Sequence, residues 1–374
     1  MKMKLKNTPE QVELIKAMGS KSPEISRPAT EAFAAFIGPV VRRVLEQANT
    51  ASYIYTDVEY DEDDNPSYPL DLFYDQNDKD PYTTIWSQQM AGGLPSSQVS
   101  GNAELKIATY KLDSAVSFLK KYARKSRLDV VSKGIERMAN EILVKQDRNA
   151  WAVILKGLAD GLGRFGTDDA PTGTTSGNIV NTSGGTAAAI TLADLNSLIT
   201  KMKRLNASYA VGSPVAAYSK GITDLFVSPE VVANFRAISF TAYEDDAAAE
   251  QVGSGIKDEM WRAGGFSSIF GMNVIDMYEL GVSQKYQTLF NAVKPAAMTF
   301  APATDNLLVG IDRSVDAFVR PVARNAETGS TFTALPDDQY ATRQDKVGFY
   351  GGLEEGRVML DARAIVGLIK PIPV

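Results

Sequence analysis

Between residues 127 and 160 the apolar side chains fall on one helical stripe. Val131, Ile135, Met138 and Ile142 are spaced four, three and four apart, and the stripe resumes at Ala150, Ile154 and Leu158. This period predicts a helix of about thirty residues, roughly 45 Å long. Just upstream the period is two. Leu105, Ile107, Tyr110, Leu112, Val116 and Phe118 mostly alternate with polar residues, which predicts a half-buried strand.

Start signals place further elements. Thr8 is a helix cap, Pro9 suits a first turn, and Gln11 has capping-box spacing ahead of Val12, Leu14 and Ile15. Thr191 and Asp194 repeat that spacing before the amphipathic set Leu192, Leu195, Leu198, Ile199 and Met202. DLFVSPEVVANFRAIS reads as a strand, a Ser228 cap, Pro229 in the first turn, and a helix. FGMNVIDM, MTFAPATDNLLVGID and DAFVRPVA read as strands, and the C-terminal KVGFYGGLEEGRVMLDARAIVGLIKPI is alternating and β-rich. Residues 50–110 differ: aromatics mix with a dense acidic run, proline and turn-rich sequence, giving an expected excursion with strands but little core of its own.

GLGRFG, residues 161–166, spells the glycine pattern of a dinucleotide loop. Such a loop needs a buried strand before it and a helix N-terminus after it, because the pyrophosphate rests on free helix amides. Here a long helix precedes the glycines and a turn-rich stretch follows. Gly161, Gly163 and Gly166 therefore read as a helix end and a link.

At 374 residues the chain exceeds the roughly 250 to 300 at which one core stops growing, so two compact units, or one with long extensions, are expected. A formal charge of −6 and a pI near 5.1 argue against a chain built chiefly to grip nucleic acid. Cysteine and histidine are both absent, which excludes disulfides, thiolate nucleophiles, histidine triads and Cys/His zinc sites. Carboxylate, lysine, serine or magnesium chemistry stays open. The apolar stretch AFAAFIGPVV is too short to span a bilayer and too far from the start for a secretory signal, so a soluble protein made inside the cell, without membrane partners, is expected.

Two charge clusters stand out. The acidic run Asp57, Glu59, Asp61, Glu62, Asp63 and Asp64 lacks the spacing of a calcium loop and reads as a solvated or partner-facing surface. The basic patch Lys120, Lys121, Arg124, Lys125 and Arg127 has the opposite sign. Asp61, Glu62, Asp63 and Asp64 are thus candidates to meet Lys120, Lys121, Arg124 and Arg127 between subunits. Glu354, Glu355 and Asp361 read as salt-bridge partners of Arg357 and Arg363 rather than as catalytic carboxylates. No catalytic, cofactor or metal site is assigned, and the chain is not read as an enzyme.

The order of parts, with RLDVVSKGIERMANEI, TDLFVSPEVVANFR, SSIFGMNVID and KVGFYGGLEEGRVMLDARAIVGL as its carrying stretches, resembles the major capsid proteins of tailed bacteriophages with the Hong Kong 97-type fold. The resemblance implies an α+β fold with a spine helix, peripheral and axial domains, an N-terminal arm and an extended β-hairpin loop. It implies an arm over 1–48, the loop over 49–108, a peripheral domain over 109–165 and an axial domain over 166–305. The chain would return through the peripheral domain over 306–345 and finish in axial strands over 346–374. The function implied is self-assembly, through hexamers and pentamers, into an icosahedral virion shell built in the host cytoplasm and enclosing double-stranded DNA without sequence-specific binding. Scaffolding protein, portal and maturation protease are implied partners, and a cement protein is a further one. Rival readings are an encapsulin-like nanocompartment shell and a carboxylate- or magnesium-dependent two-domain enzyme.

Overall fold

The computed structural model describes residues 8–47, 53–61, 66–69, 104–125, 128–161, 177–183, 189–207, 221–244, 268–296, 298–314, 316–325, 331–337 and 345–371. Its helices are α1 (Pro9–Met18), α2 (Pro23–Gln47), α3 (Lys120–Arg124), α4 (Leu128–Asp160), α5 (Leu192–Ala207), α6 (Pro229–Glu244) and α7 (Lys285–Val293). The strands begin with β1 (Thr56–Asp61), β2 (Ser67–Pro69), β3 (Glu104–Lys106), β4 (Thr109–Leu119), β5 (Ile179–Asn181), β6 (Asp224–Val227) and β7 (Ser268–Ile269). They continue with β8 (Met272–Asp276), β9 (Asp305–Ile311), β10 (Phe318–Arg324), β11 (Thr333–Asp337), β12 (Lys346–Gly356), β13 (Val358–Met359) and β14 (Ile365–Pro371). The fold is α+β, as expected.

Two compact units divide the chain. The first comprises Met1–Tyr68, Leu105–Trp151 and Phe318–Val358; the second comprises Pro69–Glu104, Ala152–Ala317 and Met359–Val374. The long helix expected from the apolar stripe is α4, 33 residues long, and the division falls within it.

In the first unit a sheet runs β1-β10-β12-β11, with β4 antiparallel on β12 over eleven residue pairs. One face of β12 presents Val347, Phe349 and Leu353 to a core that also holds Phe118, Ile135, Met138 and Ile142. Ile15 and Met18 of α1 and Phe33 of α2 enter the same core. At about 1.5 to 3 kcal/mol for each large apolar side chain buried, this is the unit's main stabilisation. Helices α1 and α2, expected in an arm, thus share this unit's core through their apolar faces.

Thr8 caps α1 by accepting from the Gln11 N–H at 3.4 Å. The return half of the capping box is not made: the Gln11 Oε1 is buried and accepts no hydrogen bond. Helix α2 was not legible, since Pro28, Gly38 and Pro39 all break a helical pattern on paper. Part of the expected excursion also belongs here. Ile54 and Tyr55 are buried, and β1 pairs parallel with β10 from Thr56↔Val319 to Asp61↔Arg324.

The second unit has a sheet ordered β5-β14-β9-β6-β8-β7. Its core joins Leu195, Leu198 and Met202 of α5, Val231 and Phe235 of α6, Leu225 and Val227 of β6, and Leu308, Val366 and Leu368 of the central strands. Both capping signals hold. The Thr191 N–H donates to Asp194 Oδ2 at 2.8 Å while the Asp194 N–H donates to Thr191 Oγ1 at 3.3 Å. Ser228 Oγ accepts from the Val231 N–H at 3.3 Å and donates to Asn306 Oδ1 at 3.0 Å.

Two strand boundaries differ from expectation. Phe270 and Gly271 turn the β7–β8 hairpin with φ of 51° and 80°, so the strand expected from Phe270 starts at Met272. Positive φ at both central residues is the geometry of a two-residue hairpin turn. The strand expected from Met298 starts at Asp305, whose carboxylate accepts from the Ala301 N–H at 2.8 Å and so closes a turn.

Candidate functional site

The alternation of β12 puts Glu355 on the same face as Leu353, Phe349 and Val347, at the end of the first unit's core. The register carries that face across the sheet: Glu355 lies opposite Val322 of β10 and Tyr110 of β4, while Arg320 stands two residues from Val322 and opposite Asp57. These pairings gather Glu355, Arg320 and Asp57, and Arg357 joins them from just beyond the end of β12.

Glu355 is completely buried and surrounded by donors. Arg320 Nε donates at 2.7 Å, the Tyr110 hydroxyl at 2.8 Å, Gln146 Nε2 at 3.1 Å, and the Arg357 guanidinium at 3.4 Å. Arg320 also reaches the Asp57 carboxylate at 3.2 Å. Arg357 stacks over the Tyr55 ring, 4.9 Å from its centroid, while the Tyr55 hydroxyl donates to the Ala150 carbonyl at 3.0 Å. Two buried guanidinium groups and two carboxylates make the cluster formally neutral.

The electrostatics follow from burial and from Glu355. Burial alone would lower the pKa of Arg320, but the neighbouring Glu355 and Asp57 charges outweigh it and raise it. Burial and the adjacent Glu355 push the Tyr110 hydroxyl up to about 12. Burial likewise raises Tyr55, against the opposing pull of Arg357. A carboxylate enclosed in this way, away from solvent and receiving four donors, acts as a joint between β12, β10, β4 and α4 rather than as an acid or base. Of the salt bridging expected of the C-terminal charges, Glu355 pairs with Arg357 and Asp361 with Arg363 at 2.6 Å, whereas Glu354 accepts from the Tyr60 and Thr109 hydroxyls at 3.1 and 2.8 Å.

The candidate intersubunit residues are not gathered in one place. Asp61 ends β1, exposed and in register with Arg324. Glu62, Asp63, Asp64 and Arg127 lie outside the described residues. Lys120 begins α3 and its N–H donates to the Asp345 carbonyl at 2.9 Å. Lys121 Nζ lies 5.3 Å from the centroid of the Tyr122 ring. Arg124 has partners within its own unit: its Nε donates to the Gly19 carbonyl at the end of α1 at 2.7 Å, and its Nη2 lies 3.4 Å from Asp345. Upstream on β1, Asp57 pairs with Arg320 and Glu59 with Arg324, each at 3.2 Å.

Sequence reasoning missed Arg320, Tyr110, Gln146 and Tyr55. Glu355 at an inward position of an alternating strand was the available signal, because an inward charge requires a partner. Among the described residues no group of three or more Asp, Glu, His or Cys side chains is placed to hold a metal, and no helix is long and apolar enough to cross a membrane.

No family model matches the sequence, and no curated protein matches it. Solved structures to which the fold is similar include the capsid of the cyanophage P-SCSP1u, at 14% identity and a TM-score of 0.48, covering 86% of this chain and 87% of that one. A structure from Microbacterium phage Oxtober96 is similar at 11% identity and a TM-score of 0.48, covering 87% and 91% of the two chains. An encapsulin complex from Synechococcus elongatus is similar at 13% identity and a TM-score of 0.38, with 71% and 74% covered.

Proposed function

We propose that this chain is the major capsid protein of a tailed bacteriophage, a structural subunit that self-assembles into an icosahedral shell around double-stranded DNA. The observation that carries the reading is the way the chain is threaded. Each compact unit is made of three separate stretches, and the boundary between units falls inside the single unbroken helix α4. In this reading the first unit is the peripheral domain, α4 the spine and the second unit the axial domain, with bounds that differ from those the resemblance implies: residues 346–358, expected in the axial domain, belong to the first unit, and 306–317, expected in the peripheral return, belong to the second.

The chemistry supports the same reading. The polar cluster around Glu355 is a buried joint suited to holding strands in register, although Gln146 Oε1 and Arg357 Nη1 within it are buried without a hydrogen-bond partner. The proposed partners are further copies of the chain, in hexamers and pentamers, with a scaffolding protein, a portal, a maturation protease and a cement protein around them. The location is the virion. A net charge of −6 suits a wall that confines DNA without adhering to it.

Sedimentation and negative-stain microscopy of the purified chain, alone and with a scaffolding partner, test this. Closed particles of uniform diameter are expected. A small discrete oligomer stabilised by a small-molecule ligand would sink the reading in favour of an enzyme. Particles filled with a co-purifying enzyme instead of DNA would replace the phage shell by a nanocompartment.

A further inference from the structure

Arg124 has partners inside its own unit, whereas four exposed cations of α4, Lys133, Arg137, Lys145 and Arg148, have no ion-pair partner among the described residues. At 3.6 residues per turn, Lys133, Arg137 and Arg148 fall within an arc of about 60° together with Val144, and the stripe is roughly 22 Å long. Val144 is 47% exposed. Lys145 flanks the arc, and Glu141 is the exposed acid among the four cations.

We propose that this face of α4 is the cationic half of a contact with a second copy of the chain, whose acidic row Asp57, Glu59 and Asp61 on β1 supplies the other half. The proposal rests on the shell reading and gives it a specific contact. Two observations favour a protein partner over a phosphate backbone. A chain of net charge −6 repels a polyanion as a whole, and Val144 offers apolar surface that only a protein partner buries.

The acidic row remains available despite its arginine partners. Asp57 and Glu59 keep side-chain exposures of 52% and 49%, and a carboxylate has about four acceptor sites. Asp61 is exposed at the strand's end. Each copy carries both halves, so in a heterologous arrangement a copy whose acidic row is engaged still offers its basic face to a third. Such contacts propagate until they close.

The test compares wild type, Arg137→Glu/Arg148→Glu, Asp61→Lys, and the combined chain, by sedimentation velocity at low and high salt with microscopy of the products. The basic-face variant should melt within a few degrees of wild type, because no described intramolecular partner is lost, and should self-associate at least about tenfold more weakly. Asp61→Lys should weaken association in the same direction, and the combined chain should recover part of the loss. If the double Glu variant does not fold, Arg137→Gln/Arg148→Gln carries the same comparison.

Normal association of the basic-face variant overturns the proposal. Normal shells that lose only their DNA overturn it in favour of a phosphate-facing surface. Loss without recovery in the combined chain overturns β1 as the acidic half. A wild type that forms only a small salt-sensitive oligomer ends the shell reading, yet the variants still judge this contact. A wild type that stays monomeric at every concentration ends both.

Discussion

The Nε of Arg320 stands 2.7 Å from the Glu355 carboxylate, with side-chain exposures of 10% and 0%. A pair this enclosed does not stabilise by Coulomb attraction alone, since desolvating both ions is costly. Its effect is conditional, because each member makes the other tolerable. Tyr110, Gln146 and Arg357 spread the same dependence over β4, α4 and the end of β12. Replacing Glu355 by Gln should therefore leave the buried Arg357 without its counter-charge and Arg320 with only the half-exposed Asp57, and cost about 3 to 5 kcal/mol. Urea unfolding of the wild type and the variant measures it, and a loss below about 1 kcal/mol would show that the cluster does not hold the sheet.

Alkaline pH should act on the same cluster through Tyr110. Its folded pKa of about 12 lies above the ordinary 10, so the folded chain holds this proton longer than the unfolded chain. The stabilisation is fully present below pH 10 and is lost as pH rises from 10 towards 12. Tyr110→Phe removes the titrating group. The difference in urea midpoint between wild type and Tyr110→Phe should be constant up to about pH 9.5 and should shift against the wild type above it. A difference that stays flat up to pH 12 would contradict the placement of Tyr110 against Glu355.

Acid acts at the other end of the molecule's polar inventory. Burial would raise the pKa of Asp194, but hydrogen bonds from Lys370 and from the Thr191 N–H and hydroxyl outweigh it and hold the carboxyl below its usual range. A lowered folded pKa gives stability that is present above the unfolded pKa and lost as pH falls below it. Asp194→Asn should cost about 1 kcal/mol near neutrality, from the charge at the start of α5 and the bond to Lys370. That cost should shrink towards zero below about pH 3, the readout being the difference in urea midpoint across the acid range.

How much of this was legible in the sequence depended on distance along the chain. The stripe of α4 and the caps at Thr8, Thr191 and Ser228 are local signals, written within a few residues, and each led to the right element. Most of the Glu355 cluster is joined over long distances along the chain: Arg320 and Glu355 are 35 positions apart, and Asp57 and Arg320 are 263 apart. Only the pairing register of β1, β10, β12 and β4 brings them together, and no local pattern encodes a register. The turn at Phe270 was hidden for another reason: an aromatic at positive φ contradicts its own propensity, so tertiary context overrode the strand pattern. The charge run at 57–64 was visible as charge, but its arginine partners on β10 were not. Nor did the text of the sequence separate Arg124, which has partners, from the exposed cations of α4.

Arg124 provides the test that separates folding from assembly within the basic patch. Its Nε–H caps the last turn of α1 at the Gly19 carbonyl, and a Cβ at Gly19 would lie 2.7 Å from the Arg124 backbone nitrogen, so α1 and α3 meet too closely for any residue but glycine. Its second arm reaches Asp345, whose own carbonyl holds the start of α3. The salt bridge is open to solvent and contributes little. The bond to the carbonyl is charge-assisted and partly shielded, and contributes more. Arg124→Met keeps most of the packing and removes both. It should lower the stability of the isolated chain by about 1 kcal/mol, seen as a drop in melting temperature, whereas Lys121→Met should leave the melting temperature within a degree or two. If Arg124→Met melts like wild type but blocks particle formation, Arg124 acts at a subunit contact and its bond to Gly19 is incidental. If it melts earlier and still assembles below that temperature, its work is finished once the subunit has folded.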